Sequence, residues 1–151
     1  MKPPQDCKTQ SSHAAPWARA FANRLPDANR AAQDAAAHLR QHGIAEPVVH
    51  NVHFAIEEMA TNIVKYGYDD RAPHTITLRL EILPDAVCAR LEDDGHEFNP
   101  LQVPTPALPG NLDDRTPGGL GIYLVRRMVS GMTYERQDGK NRLAITVSRT
   151  P

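Results

Sequence analysis

Glu58 and Asn62 stand one helical turn apart in Phe54-Ala55-Ile56-Glu57-Glu58-Met59-Ala60-Thr61-Asn62-Ile63-Val64-Lys65-Tyr66-Gly67-Tyr68. A carboxylate beside an amide oxygen suits hard chemistry, either holding a hydrated Mg²⁺ or orienting a proton acceptor. A second stretch, Glu92-Asp93-Asp94-Gly95-His96-Glu97-Phe98-Asn99-Pro100, brings a run of alternating apolar residues to an end on an aspartate. A third, Pro117-Gly118-Gly119-Leu120-Gly121, opens an apolar-periodic segment with glycines. Such glycines let phosphate oxygens approach closely, and free amides with the helix dipole favour negative charge. Each stretch also has a plainer explanation when taken alone. The first can be a solvated glutamate beside an asparagine mildly unfavourable in a helix, the second an acidic turn, the third a flexible loop. Neither the Walker A lysine pattern nor the strand-loop-helix dinucleotide pattern is present.

The elements that must position these groups are readable from periodicity. Val52, Ile56, Met59 and Ile63 recur at helical spacing. At about 100° per residue they fall within roughly 40° of one direction, with Glu58 and Asn62 about 120° and 80° round one flank. Glu57 points to the other flank. This helix begins near Glu46-Pro47 and stops at Gly67, and an Ala-rich helix precedes it, with Asp27 expected as N-cap and Gly43 as the stop. Trp17 to Leu25 suggests a short edge strand.

Ile76, Leu78, Leu80 and Ile82 alternate with polar residues, and Val87, Ala89, Leu91 and Asp93 alternate with Cys88, Arg90 and Glu92. That phase puts Asp93 on the buried face, where an unpaired carboxylate costs several kcal/mol. An incoming donor such as an exocyclic amino group would pair with it, and Gly95 would let a flat ligand approach the backbone. Residues 100–117 form a Pro-rich loop, long enough to expect a function or disorder. Gly119 onward predicts a helix, and Met132 to Ser148 a hairpin about Asp138-Gly139. Strands with one wet face and helices with one apolar side predict a two-layer α/β (α+β) sandwich. Its mixed, mostly antiparallel sheet is covered on one face by about three helices.

At 151 residues, one domain over 16–151 after a flexible leader at 1–15 is expected. With 17 Lys+Arg against 18 Asp+Glu there is no basic stripe for nucleic acid and no polybasic cluster for a membrane. The leader lacks the apolar core of a signal peptide, so a cytoplasmic protein is the simplest expectation. Cys7 and Cys88 lie far apart and predict neither a disulfide framework nor a zinc site. His50 and His53 read as surface histidines, since no further ligands stand near them.

Taken in order, the three stretches resemble the nucleotide-binding boxes of the GHKL superfamily, whose members share the Bergerat ATP-binding fold. Glu58-x-x-x-Asn62 looks like the N box, Asp93-x-Gly95 with Phe98 like the G1 box, and Gly119-x-Gly121 like the G2 box. Within it the chain is most similar to the RsbW-like anti-sigma factor serine kinases, through the three stretches quoted above and the closing Gly139-Lys140-Asn141-Arg142-Leu143. The resemblance covers roughly residues 17 to 149.

It implies ATP and Mg²⁺ as cofactors. Asn62 would ligate Mg²⁺, Asp93 would accept from the adenine amino group, and Gly95 and Phe98 would adjoin the base. Gly118, Gly119, Leu120 and Gly121 would meet the phosphates. Glu58 would take the proton from the attacking hydroxyl. Residues 100–117 would be a lid, with Arg115 a phosphate contact. The implied partners are a STAS-domain antagonist as phosphoacceptor, a sigma factor in some members, and a second copy of the chain. One departure stands out: Tyr66 occupies the place where many relatives carry a histidine. Tyr66 leaves open an alternative, a non-catalytic, ATP-gated binding module. An ATPase fragment of a larger machine is weakened by the absence of a transducer segment.

Overall fold

Helices α1 (Leu25–Gln41) and α2 (Glu46–Tyr66) form the hairpin that covers the sheet. These positions come from a computed structural model, which describes Cys7, residues 16–105 and residues 119–150. The leader apart from Cys7 lies outside the described residues. Pro26 stands in the first turn of α1, where its fixed φ is favourable and no amide hydrogen is needed. The helix therefore starts earlier than expected. Arg24 is the extended residue before it, and Asp27 lies inside the first turn, 3.9 Å from the Arg24 guanidinium. Gly43 ends the segment at φ +71°, as its residue type predicts. The face that α1 buries is mostly alanine (Ala28, Ala31, Ala32, Ala35 and Ala36), which lets the two helices approach closely.

The five strands are β1 (Trp17–Ala22), β2 (Thr75–Ile82), β3 (Ala86–Asp93), β4 (Gly131–Gln137) and β5 (Lys140–Ser148), in the order β1-β2-β3-β5-β4. A partly mixed sheet was expected, but every pairing among the described residues is antiparallel. The connections explain why. Two helices between β1 and β2 bring the chain back reversed. The single helix α3 (Gly119–Met128) leaves β4 running in the same sense as β3, and β5 then inserts between them.

Register places Val87, Ala89 and Leu91 opposite Val147, Ile145 and Leu143. These face the buried Val49, Val52, Ile56 and Met59 of α2 and Ile122 and Val125 of α3, in one continuous core. Ile63, the fourth residue of the α2 stripe, is only partly buried against it. The phase inferred for β2 and β3 is the one observed. Among the described residues no helix is long and apolar enough to cross a membrane.

The open face of the sheet carries one departure from expectation. Cys7 and Cys88 are joined as a disulfide across 81 residues of sequence. Cys88 lies on the side of β3 away from the helices, and Cys7 sits over it. Thr146 lies opposite Cys88, and its hydroxyl donates to the Cys7 sulfur at 3.2 Å. Arg90 donates to the Cys7 carbonyl. Strand alternation identifies the face Cys88 takes, but nothing local to residue 7 indicates that it crosses that face.

Ile56 is fully buried where α2 meets the sheet. Ile56→Ala is expected to lower unfolding free energy by about 2–5 kcal/mol, with the loss set by how far the helices close the void. Urea denaturation should show this as a lower midpoint at an unchanged slope.

Candidate functional site

Asp93 is the last residue of β3 and shares the core-facing side with Leu91, yet it is a carboxylate only 5% exposed. Its cross-strand partner is Asn141. Asn141 Nδ2 donates to Asp93 Oδ1 at 2.9 Å, and the Gly95 amide donates to the same oxygen at 2.9 Å. Both bonds fall on one oxygen, so the other remains available to an incoming donor. Burial pushes the Asp93 carboxyl above the ordinary aspartate range, while the Asn141 and Gly95 bonds oppose that rise.

Asn141 is the hub of a polar network. Its Nδ2 also donates to the His96 carbonyl at 2.8 Å, and its Oδ1 accepts from Tyr134 Oη at 2.5 Å and Arg136 Nη1 at 3.1 Å. Arg136 donates as well to the Gly95 carbonyl at 2.8 Å. Three segments are thereby tied to the Asp93 carboxylate: β4, β5 and the turn after β3. Sequence reasoning singled out neither Tyr134 nor Arg136. The signal was present in the period-two pattern, which puts both in line with Met132 on the covered face of β4.

The narrow cleft beside Asp93 is walled by Met59, Asn62, Ile63, Tyr66 and Gly67 of the α2 segment and by His96, Phe98 and Asn141. It encloses about 40 Å³, room for a water or two rather than a purine. Tyr66 and Phe98 are 44% and 38% exposed, so the rings with freedom to part are at hand. Gly95 is required where it stands: a Cβ would strike the Gly67 carbonyl and come within 2.9 Å of Asp93 Oδ1. The His96 amide donates to that Gly67 carbonyl at 2.9 Å.

Glu58 meets the third stretch at the start of α3. A Cβ on Gly121 would collide with the Glu58 carboxylate, so the two motifs are in contact across the helix pair. Gly119 is buried and Leu120 is 36% exposed. Asn62 is 8% exposed, and its buried Nδ2 has no hydrogen-bond partner among the described residues. A buried amide without a partner is costly unless a ligand engages it, and a half-turn of the amide exchanges its donor and acceptor ends. An amide oxygen with a carboxylate one turn away fits Mg²⁺ held mainly by phosphate and water. Arg115, Gly118 and most of the Pro-rich stretch lie outside the described residues. Among those described, no cluster of three His, Cys, Asp or Glu residues could hold a metal ion, and His50 is exposed.

A wider concavity, about 480 Å³, lies elsewhere. It is the saddle of the open sheet face, lined by Arg79, Arg90, Glu92, Glu135 and Arg142, and contains none of the sequence-predicted residues.

The chain belongs to the histidine kinase-like ATPase domain family, whose model matches residues 21–147. It is similar to the serine/threonine-protein kinase BtrW of Bordetella bronchiseptica, with 34% identity over 95 residues, 63% of this chain and 67% of that protein. It is also similar to the serine-protein kinase RsbW of Staphylococcus aureus, with 26% identity over 107 residues, 68% of this chain and 64% of that protein. Among solved structures, the RsbU and RsbW domains of a Mycobacterium tuberculosis protein superpose with a TM-score of 0.64 at 16% identity. That superposition covers 89% of this chain and 32% of the other, and shows the fold.

Removing the hub should therefore disturb more than one contact. Asn141→Ala leaves Tyr134 Oη and Arg136 without their shared acceptor and Asp93 with one bond fewer. The expected destabilisation is about 1–3 kcal/mol, the cost of stranding a buried polar group. Scanning calorimetry checks it, and an unchanged melting temperature would remove the network from this account.

Proposed function

We propose that the chain is an ATP-dependent serine/threonine protein kinase of the anti-sigma type. In this reading it transfers the γ-phosphoryl group of ATP to a serine of a STAS-domain antagonist in a partner-switching pathway. The observation that carries the proposal is the convergence at one site. Asn62 and Asp93 line a single cleft, and Glu58, one turn before Asn62, abuts Gly121. The named kinase relatives point the same way.

Each residue then has a task. The free oxygen of Asp93 accepts a hydrogen bond from the adenine amino group, which selects ATP over GTP. Gly95 permits the base to lie against the backbone, and Phe98 flanks it. Amides of Gly118, Gly119, Leu120 and Gly121 face the phosphates at the start of α3, where the helix dipole favours anionic charge. Asn62 would hold Mg²⁺, which when bound neutralises charge on the transferring phosphoryl group. Arg115 contacts the phosphates from a lid over residues 100–117. As the serine Oγ–P bond forms and the bond from phosphorus to the ADP oxygen breaks, Glu58 accepts the serine proton. The new phosphoserine adds charge and acceptor oxygens at the partner interface, enough to break a packed contact.

The working unit is the domain over 16–151, acting as a homodimer in the cytoplasm, with a sigma factor as the alternative partner and no direct role for nucleic acid or membrane. A second reading, an ATP-gated binding module without phosphotransfer, draws on Tyr66. This residue stands exposed at the cleft mouth in place of a histidine and offers a phenol hydroxyl instead of an imidazole.

Titration calorimetry with ATP, with and without Mg²⁺, separates these readings. We expect Mg²⁺-dependent binding by the wild type and its loss in Asn62→Ala. Phosphate transfer to a STAS-domain protein should fall by about 10²–10⁴ in Glu58→Ala. Binding without transfer would favour the module, and no binding at all would exclude both.

A further inference from the structure

We propose that His74 is a positioning residue for the nucleotide, a protonation-dependent clasp that holds the turn after Asp93 against the α2–β2 connection. This inference rests on the nucleotide-binding reading above. His74 has carboxylates at both ring nitrogens: Nε2 lies 2.8 Å from Asp70 Oδ1, and Nδ1 lies 3.2 Å from Asp94 Oδ1. Carboxylates only accept, so both contacts are hydrogen bonds only when both nitrogens carry a proton. The geometry is that of an imidazolium.

Its neighbours make the position stiff. Tyr68 stacks on the imidazole, with centroids 4.2 Å apart and planes inclined by 16°. The backbone of His74 is pinned to the turn before α1, its amide donating to Asn23 Oδ1 at 3.0 Å and its carbonyl accepting from the Asn23 amide at 3.1 Å. Asp94 is therefore held by a residue that cannot easily follow it.

The site is one residue away. Asp94 adjoins Asp93, and the same turn is tied to the α2–β2 connection at two further points. The His96 amide donates to the Gly67 carbonyl, and the His96 ring lies 3.3 Å from Asp69. Gly67 and His96 both wall the cleft. A change at His74 thus reaches Asp93 through the main chain of a three-point clasp.

The other charged groups around His74 act in the same sense or are already matched. Glu92, Asp93 and Lys140 line the cavity it shares with Asp94, and Lys140 Nζ is 3.3 Å from Glu92. The Asp70 bond raises the His74 pKa above the ordinary histidine value, with the Asp94 bond adding to it against the effect of burial. The sign follows. A raised folded-state value means the clasp is fully present below the unfolded histidine pKa and is lost as pH rises through the raised value. Deprotonation leaves a lone pair facing one carboxylate, which loosens that contact.

The test compares wild type with His74→Gln, which cannot charge, using a non-hydrolysable ATP analogue with Mg²⁺. Taking the ratio of the two Kd values at each pH cancels the titration of the analogue's own phosphates. The variant should bind roughly fivefold more weakly at about pH 6, the scale of a half-exposed ion pair, and the ratio should approach one by about pH 9. A ratio that is constant across pH, or one throughout, overturns the clasp while the wild-type isotherm leaves the nucleotide site standing. Wild type that binds at no pH removes the site and the clasp together. Should the variant fail to fold, the wild-type imidazole resonance of His74 decides the matter. By reciprocity, bound analogue must raise the pH at which His74 titrates, and an unmoved midpoint overturns the proposal.

Discussion

The constraint on which the site depends is a carboxylate on the wrong face of a strand. Asp93 continues the inward phase of Val87, Ala89 and Leu91, so the sheet that builds the core also carries a carboxylate at the end of its central strand. Burying that charge is tolerable only with donors, and the structure supplies them from Asn141 and Gly95. Asn141 can do this because the antiparallel register sets it directly opposite, and Tyr134 and Arg136 then fix the amide's orientation. A half-satisfied network at this depth would be worse than an apolar core. The site and the end of the sheet are in this sense one construction.

Close approach is the second requirement, and glycine meets it in two places. Gly95 lies on the Gly67 carbonyl, bringing the turn after β3 against the end of α2, and Gly121 lies on the Glu58 carboxylate, bringing α3 against the middle of α2. Helix α2 is common to both contacts. It carries Glu58 and Asn62 on its flank while Val52, Ile56 and Met59 hold it to the sheet. The apolar stripe and the polar flank of one helix thus divide folding from chemistry.

Much of this was legible in the residues. The helical period of α2, the alternation of β2 and β3 and the inward phase of Asp93 are local properties, and all appear as read. One miss is local, at the start of α1, and the others are non-local. Pro26 overrode Asp27 as the determinant of where α1 starts, because a residue already in the first turn cannot cap it. The antiparallel sheet depends on β5 inserting between β3 and β4, which no single strand's pattern specifies. The Cys7–Cys88 bond joins positions 81 residues apart, and Tyr134 and Arg136 acquire their role only once β4 is paired with β5. Arg115 and Gly118 lie outside the described residues, so their assignment still rests on position and resemblance.

The most direct test of the central claim is base discrimination at Asp93. Binding isotherms for ATP and GTP should be measured in parallel with wild type and Asp93→Asn, alongside a melting curve for each. A buried carboxylate with one committed and one free oxygen predicts that wild type binds ATP, which donates an amino hydrogen there, and discriminates strongly against GTP, whose carbonyl would face the same oxygen. Asp93→Asn should lose that preference while remaining folded. Equal affinity of the wild type for the two nucleotides, or an undiminished preference for ATP in the folded variant, would contradict the account.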